Sequence, residues 1–307
     1  MRTLFPFVWL ACLVPLLFSC KPHKTVRQEA SVVVSILPQK YLVDRISGGK
    51  LECGVMIPPG GNHETFEPSP RDMEKVSKAG IYFTIGALDF EKAWVERVKA
   101  VNPGLEIVNT GSGITMIEGH SHEGHASCAV DPHIWLSPDA VRIQARSICE
   151  ALCRYDSSSK TLYERNLDSF LHEADSADRY ITSLFEPHQG KSILIYHPAL
   201  AYFAREYGLN QLSIEHEGKD PSPVHMREII DLAEARRISV IFVSKEFDTR
   251  HAETIAKQIN GRLVTFDPMA YNWTTNIMHL ADLIAQSMAN QKPGDIPAKN
   301  LSSKSRP

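Results

Sequence analysis

The 307-residue chain contains no Cys-x-x-Cys pair, so the usual thiolate frame of a zinc site is missing. Its net charge is only -3, which gives no argument for nucleic acid or an anionic membrane surface as a partner. No internal repeat is visible at the level of residues. The protease pattern His-Glu-x-x-His is not completed either. The nearest run, His63-Glu64-Thr65-Phe66-Glu67, ends in Glu and is bracketed by Gly60-Gly61 and by Pro68 and Pro70. A helix presenting two ligands on one face is not expected there. What remains is a composition of 43% hydrophobic and 22% charged residues, that of a soluble globular protein. The length suits one large domain or two lobes.

The N-terminus differs from the rest. Arg2 precedes an almost wholly apolar run from Leu4 to Phe18, closed by Leu17-Phe-Ser-Cys20. That run falls short of the roughly 20 residues a membrane span needs, and it reads as a secretory signal over 1–20. Its ending resembles the bacterial lipoprotein cleavage box, which leaves Cys20 lipidated at the new terminus. Phe18 is bulkier than the residue usual at its place, and ordinary cleavage to a free protein is the alternative. Beyond the leader stand Cys53, Cys128, Cys149 and Cys153, which an exported protein can oxidise. Cys149 and Cys153 are spaced i, i+4 on an expected helix, too far apart at Cβ for an easy bridge. No pairing follows from the sequence.

Residues 21–30 are polar and read as a tether. From there strand-like runs (31–37, 51–57, 81–85, 106–109) alternate with helix-like ones (39–47, 70–79, 89–101). The second half repeats the alternation: strands at 191–196, 211–214, 240–243 and 262–266, and helices at 199–207, 223–236, 249–260 and 276–291. Such alternation predicts an α/β fold with mostly parallel sheets. Ser69-Pro70, Ser137-Pro138 and Ser222-Pro223 each set a capping serine before a first-turn proline. Between the halves, 158–186 holds neither glycine nor proline. Tyr163, Leu167, Phe170, Ala174, Ala177, Ile181 and Leu184 follow steps of four and three along it. A helix of about 27 residues, about 40 Å long, is predicted to link the halves. The expected units are 31–157, the linking helix 158–186, and 187–291, with a frayed tail at 292–307.

Four residues fall at Pro- or Gly-marked breaks just after apolar runs. They are His63 in Gly61-Asn-His-Glu, His133 in Asp131-Pro-His-Ile-Trp-Leu-Ser-Pro138, His197 in Ile195-Tyr-His-Pro198, and Asp267 in Phe266-Asp-Pro268. Imidazole and carboxylate are zinc ligands, and four complete a tetrahedral shell, whereas catalytic zinc keeps one position open. Open parallel sheets bind ligands beyond the carboxyl ends of their strands. His63, His197 and Asp267 follow predicted strands, and His133 follows a loop. Two candidates come from each half, so the metal is expected in the cleft between the lobes.

Other histidines (His23, His172, His188, His225, His251, His279) lie on helices, tails or polar stretches and read as solvated or core imidazoles. His120, His122 and His125 crowd a Gly/Ser-rich loop, expected to be an accessory metal-collecting segment and not the tight site.

These motifs, in this order, resemble the solute-binding proteins of bacterial zinc- and manganese-type ABC importers, over nearly all of 31–291. The likeness rests on Gly61-Asn-His63 with Glu67-Pro-Ser-Pro70, Gly86-Ala-Leu-Asp-Phe-Glu91-Lys-Ala-Trp94 and Asp131-Pro-His133-Ile-Trp-Leu-Ser-Pro138. In the second half it rests on Tyr196-His197-Pro198 with Tyr202-Phe203, on Glu217-Gly-Lys-Asp-Pro-Ser-Pro223 and on Asp267-Pro268. It implies two α/β lobes joined by one long helix, with metal ligands at His63, His133, His197 and Asp267. The manganese branch resembles this chain except for Glu at the third ligand position. His197 there implies zinc, with manganese or iron as the alternative. Family members often carry Asp or Thr where Asn62 stands.

The resemblance implies a monomeric, non-enzymatic carrier, lipid-anchored on the bacterial envelope or periplasmic. It would pass metal to a membrane permease driven by an ATPase subunit. A continuous linking helix implies small lobe motion, because it offers no loop hinge. A zinc hydrolase is the rival class, with Glu64, Glu67 or Glu217 as its base. An adhesin is a third, for which no residue speaks.

Overall fold

Short β-branched runs, each followed by an amphipathic stretch, build two sheets of the same design. The computed structural model describes residues 31–118, 130–215, 220–247 and 249–291. The leader with Cys20, the tether, Cys128, the histidines His120, His122 and His125, Glu217 and the tail lie outside the described residues.

The first lobe runs β1 (Ser31–Val34), α1 (Leu37–Ser47), β2 (Glu52–Val55), α2 (Pro70–Lys78), β3 (Ile81–Thr84), α3 (Asp89–Val101), β4 (Glu106–Asn109) and α4 (Pro138–Tyr155). Then α5 (Lys160–Phe185) leads into the second, β5 (Ser192–Ile195), α6 (Ala201–Glu206), β6 (Asn210–Ser213), α7 (Pro223–Arg236), β7 (Val240–Ser244), α8 (Arg250–Gln258), β8 (Arg262–Phe266) and α9 (Trp273–Ser287). Strand orders are β2-β1-β3-β4 and β6-β5-β7-β8, and every neighbouring pair is parallel. Parallel neighbours need crossovers, and the helices supply them. The chain reverses direction between β1 and β3 and again between β5 and β7, the switch points where such sheets open a crevice.

The inner strands β3, β5 and β7 are buried along their whole length, which is why they are unbroken apolar runs. Alternation still sorts their faces. Val240 and Phe242 of β7 join a core that runs through both lobes, and Ile241 and Val243 join a smaller one beneath α7 and α8. Two strand ends depart from expectation by more than one residue. The run 31–37 stops as a strand at Val34, because Pro38 belongs to the first turn of a helix starting at Leu37. The run 51–57 loses ladder geometry after Val55, although Met56 and Ile57 still donate to Val34 and Ser35 carbonyls. The three Ser-Pro starts hold: Ser69, Ser137 and Ser222 each accept a backbone N–H three residues on, each such cap contributing about 1 kcal/mol.

The linking helix α5 has 26 residues, and Tyr163, Phe170, Ala174, Ala177 and Ile181 are buried along it, with Leu167 and Leu184 half-buried. It packs on α1 and α4 of the first lobe and on α9 of the second. Tyr41 of α1 donates to Glu173 on α5 (3.0 Å), and Tyr180 of α5 bonds Asp282 on α9. The lobes also bond directly. Trp135 Nε1 donates to the Pro268 carbonyl (2.8 Å), and Trp273 Nε1 to the Trp135 carbonyl (2.7 Å). Tyr202 donates to the Asp131 carbonyl at 2.7 Å and Tyr271 to Asp44 at 2.7 Å. Among the described residues, no helix is long and apolar enough to cross a membrane.

Candidate metal centre

The loop after β2 brings His63 inward by two local devices. Gly61 donates to the Pro58 carbonyl (2.9 Å), and a Cβ at Gly61 would sit 2.9 Å from Ile57, so only glycine makes that turn without a shift. Asn62 Oδ1 then accepts the Glu64 N–H at 2.8 Å, an Asx turn around His63 itself. The Asn62 departure thus has a local role that Asp also fills.

His133 is placed by a similar device. Asp131 Oδ1 accepts the His133 backbone N–H (2.9 Å) and also meets its ring Nδ1 (2.8 Å). His197 directly follows the β5 end, and its Nδ1 lies 2.8 Å from Glu215 Oε2, at the exit of β6. With both Nδ1 edges held by carboxylates, Nε2 is the edge of His133 and His197 left to meet an electrophile. Those Nε2 atoms face each other at 3.3 Å, and the ring of His63 completes the set at 4.9 Å from His133 and 5.6 Å from His197 between centroids. The donor nitrogens of all three lie within 4.8 Å of one another, and the three side chains are buried.

Aromatic rings hold this arrangement. Trp135 stands edge-on to His63 at 6.0 Å, and Phe247 stacks on His197 at 4.3 Å with planes 13° apart. Burial, and then the two neighbouring imidazoles, hold His63 well below the usual imidazole range, so it stays neutral with its lone pair available.

Asp267 stands where the sequence places it, at the exit of β8, but outside this close set. Its Oδ1 accepts the Met269 N–H at 2.9 Å, and its carbonyl accepts from Asn276 at 2.9 Å. Glu246, two residues beyond β7, is a neighbour the sequence reading missed. Its Oε2 is buried with no hydrogen-bond partner among the described residues, and burial raises its carboxyl, with Asp267 adding to the rise. Asp131, Glu215 and Phe247 were missed as well. Only Asp131, two residues from His133, carried a local signal.

Glu91 lies beneath the crevice of the first lobe. Its carboxylate accepts from Ile85 and Gly86 N–H, both at 2.7 Å, and from the Ser35 hydroxyl, tying β1 to the turn after β3. Burial nevertheless pushes that carboxyl up to about 7.

Three buried imidazoles converging in one crevice suit a borderline cation. Zinc–nitrogen bonds of 2.0–2.1 Å in a tetrahedron put two nitrogens about 3.3–3.4 Å apart. The His133–His197 separation of 3.3 Å has the length of that edge.

The family model for ZnuA, the periplasmic zinc-uptake complex component A, matches residues 32–287. A crystal structure of ZnuA is 33% identical and superposes with a TM-score of 0.79, covering 85% of this chain and 99% of that one. The high-affinity zinc uptake system protein ZnuA of Bacillus subtilis is 26% identical over 243 residues, 75% of this chain and 76% of that protein. The manganese ABC transporter substrate-binding lipoprotein PsaA of Streptococcus anginosus is also 26% identical, over 257 residues, 79% of this chain and 81% of that protein. With two parallel four-stranded sheets, a long joining helix and histidines at the strand exits, the chain belongs to the ZnuA family of metal-binding substrate-binding proteins.

Proposed function

We propose that this chain captures zinc outside the cytoplasm and hands it to an ABC permease driven by an ATPase subunit. The observation that carries this reading is the pair of facing Nε2 atoms at 3.3 Å, each ring fixed from behind by a carboxylate. Both nitrogens lie within reach of one cation, which would join the two rings. His63, His133 and His197 are the nitrogen ligands of the proposal, and Asp267 is its fourth. Asp267 reaches the cation by giving up the Met269 N–H, a loop adjustment and not a lobe rotation.

Zinc is favoured over manganese by the donor set. Three imidazoles suit zinc, whereas manganese prefers oxygen. The similar relatives include carriers named for each metal, so sequence likeness at this level does not choose. Binding without turnover is favoured by the placement of Glu64, the acid next to His63 in sequence. Glu64 approaches His197 on its Nδ1 edge at 3.7 Å, the edge that Glu215 also holds, and not on Nε2, which faces His133. A hydrolase would need that acid beside the open side of the metal.

The cross-lobe bonds of Trp135, Trp273, Tyr202 and Tyr271, together with α5, favour release by loop rearrangement. Anchoring through lipidated Cys20 and metal collection by His120, His122 and His125 remain part of the proposal. The same holds for the division at 31–157, 158–186 and 187–291. The experiment is a competition titration with zinc and manganese against a chromophoric chelator. One equivalent of zinc bound far more tightly than manganese is expected; manganese preference, or ester or peptide turnover with zinc bound, overturns the reading.

A further inference from the structure

A second pair of soft donors lies away from the imidazole centre. The last turns of α4 pass the first turns of α5, leaving a pocket of about 440 Å³ lined by Arg146, Cys149, Glu150, Cys153, Lys160 and Glu164. Cys149 is buried and Cys153 half-buried, both are free thiols, and their sulfurs are 3.9 Å apart.

That separation excludes one chemistry and suits another. A disulfide needs Cβ atoms about 3.5–4.5 Å apart. Helix neighbours at i, i+4 hold theirs at about 5–6 Å. Closing the bridge would unwind a helix that α5 packs along its length. A zinc–thiolate bond of about 2.3 Å, however, sets two sulfurs of one tetrahedron about 3.8 Å apart, and the longer bond of a larger thiophilic cation opens that edge only slightly. The helix therefore fixes a chelating bite while blocking self-oxidation.

We propose that Cys149 and Cys153 form a second site, a dithiolate chelate for a thiophilic cation of the cadmium class. Each thiol releases its proton to solvent as its sulfur binds the cation. Burial, with Cys153 beside it, pushes the Cys149 thiol up to about 12, so the proton competes hard and only strongly thiophilic cations displace it. Glu150 and Glu164 line the same pocket, adding negative charge beside the pair. Two of the nearby cationic groups are engaged, Arg154 with Glu106 (2.7 Å) and Lys160 with Glu164 (3.7 Å). The site shares no residue with the imidazole centre and stands whether or not that centre carries zinc.

The test uses the full chain, reduced with a phosphine, and cadmium alone as the probe. Thiolate-to-cadmium charge-transfer absorption is expected in wild type and in His197→Ala, and its loss in Cys149→Ser and in Cys153→Ser. A band unchanged in both serine variants, or no band in wild type, overturns the proposal. Should a serine variant fail to fold, alkylation of the wild type followed by peptide mass spectrometry decides instead. Cadmium should protect Cys149 and Cys153 together, and unchanged labelling of either counts against the chelate.

Discussion

His133 and His197 stand 64 residues apart in the chain, yet their Nε2 atoms lie 3.3 Å from each other across the junction of two lobes. Neither ring is free to turn away. Asp131 holds one and Glu215 the other, and Phe247 stacks flat on His197. In the proposed site the second-half imidazole is therefore the group whose removal breaks the contact across both lobes.

His197→Ala is expected to weaken zinc more than about 100-fold, beyond what loss of an orienting partner costs. Calorimetric or chelator-competition titration checks this, and unchanged affinity would remove His197 from the ligand set.

The orienting carboxylates have a smaller, separable effect. Glu215→Gln and Asp131→Asn should each lower zinc affinity about 10–100-fold while leaving the stoichiometry at one. Amides keep the shape and lose the charge, so a wild-type affinity in both variants would show that the Nδ1 bonds do not tune the site.

The fold was legible where the local signal is strong. The Ser-Pro starts fixed α2, α4 and α7 because a capping hydroxyl and a first-turn proline act within four residues. The start of α1 was hidden, since the apolar run continues from β1 through Ile36 into the helix. Of the three clustered imidazoles, His63 and His197 were legible from strand exits, and His133 from a Pro-marked loop before the capped α4. Glu215 and Phe247 were not, because each lies 18 or more residues from His197 in sequence and touches it only after β5, β6 and β7 come together. Asp267 shares the strand-exit signature of His63 and His197, but that pattern does not report a carboxylate already bonded to Met269.

Trp135 links the lobes twice, donating to Pro268 and accepting from Trp273. Trp135→Phe strands the buried Pro268 carbonyl and should cost at least about 1–3 kcal/mol in urea unfolding. An unaltered midpoint would mean that the cross-lobe bond adds nothing.

Glu91 imposes a pH dependence of definite sign. Its carboxyl is raised from 4.5 to about 7 in the fold, so between those values the folded chain keeps a proton that the unfolded chain has lost. Stability from this group declines as pH rises through that window, by up to about 3 kcal/mol. Glu91→Gln removes the dependence, so the stability difference between variant and wild type should move in favour of the variant from pH 5 to pH 8. A difference constant with pH would show that the three donors keep Glu91 ionised throughout.

The most direct test of the central claim is zinc-edge X-ray absorption on the full chain loaded with a single equivalent. The proposed site predicts a four-coordinate shell of nitrogen and oxygen, with the multiple scattering of three imidazoles and no sulfur. A shell with sulfur ligands, or with fewer than two imidazoles, would contradict a zinc site built on His63, His133 and His197.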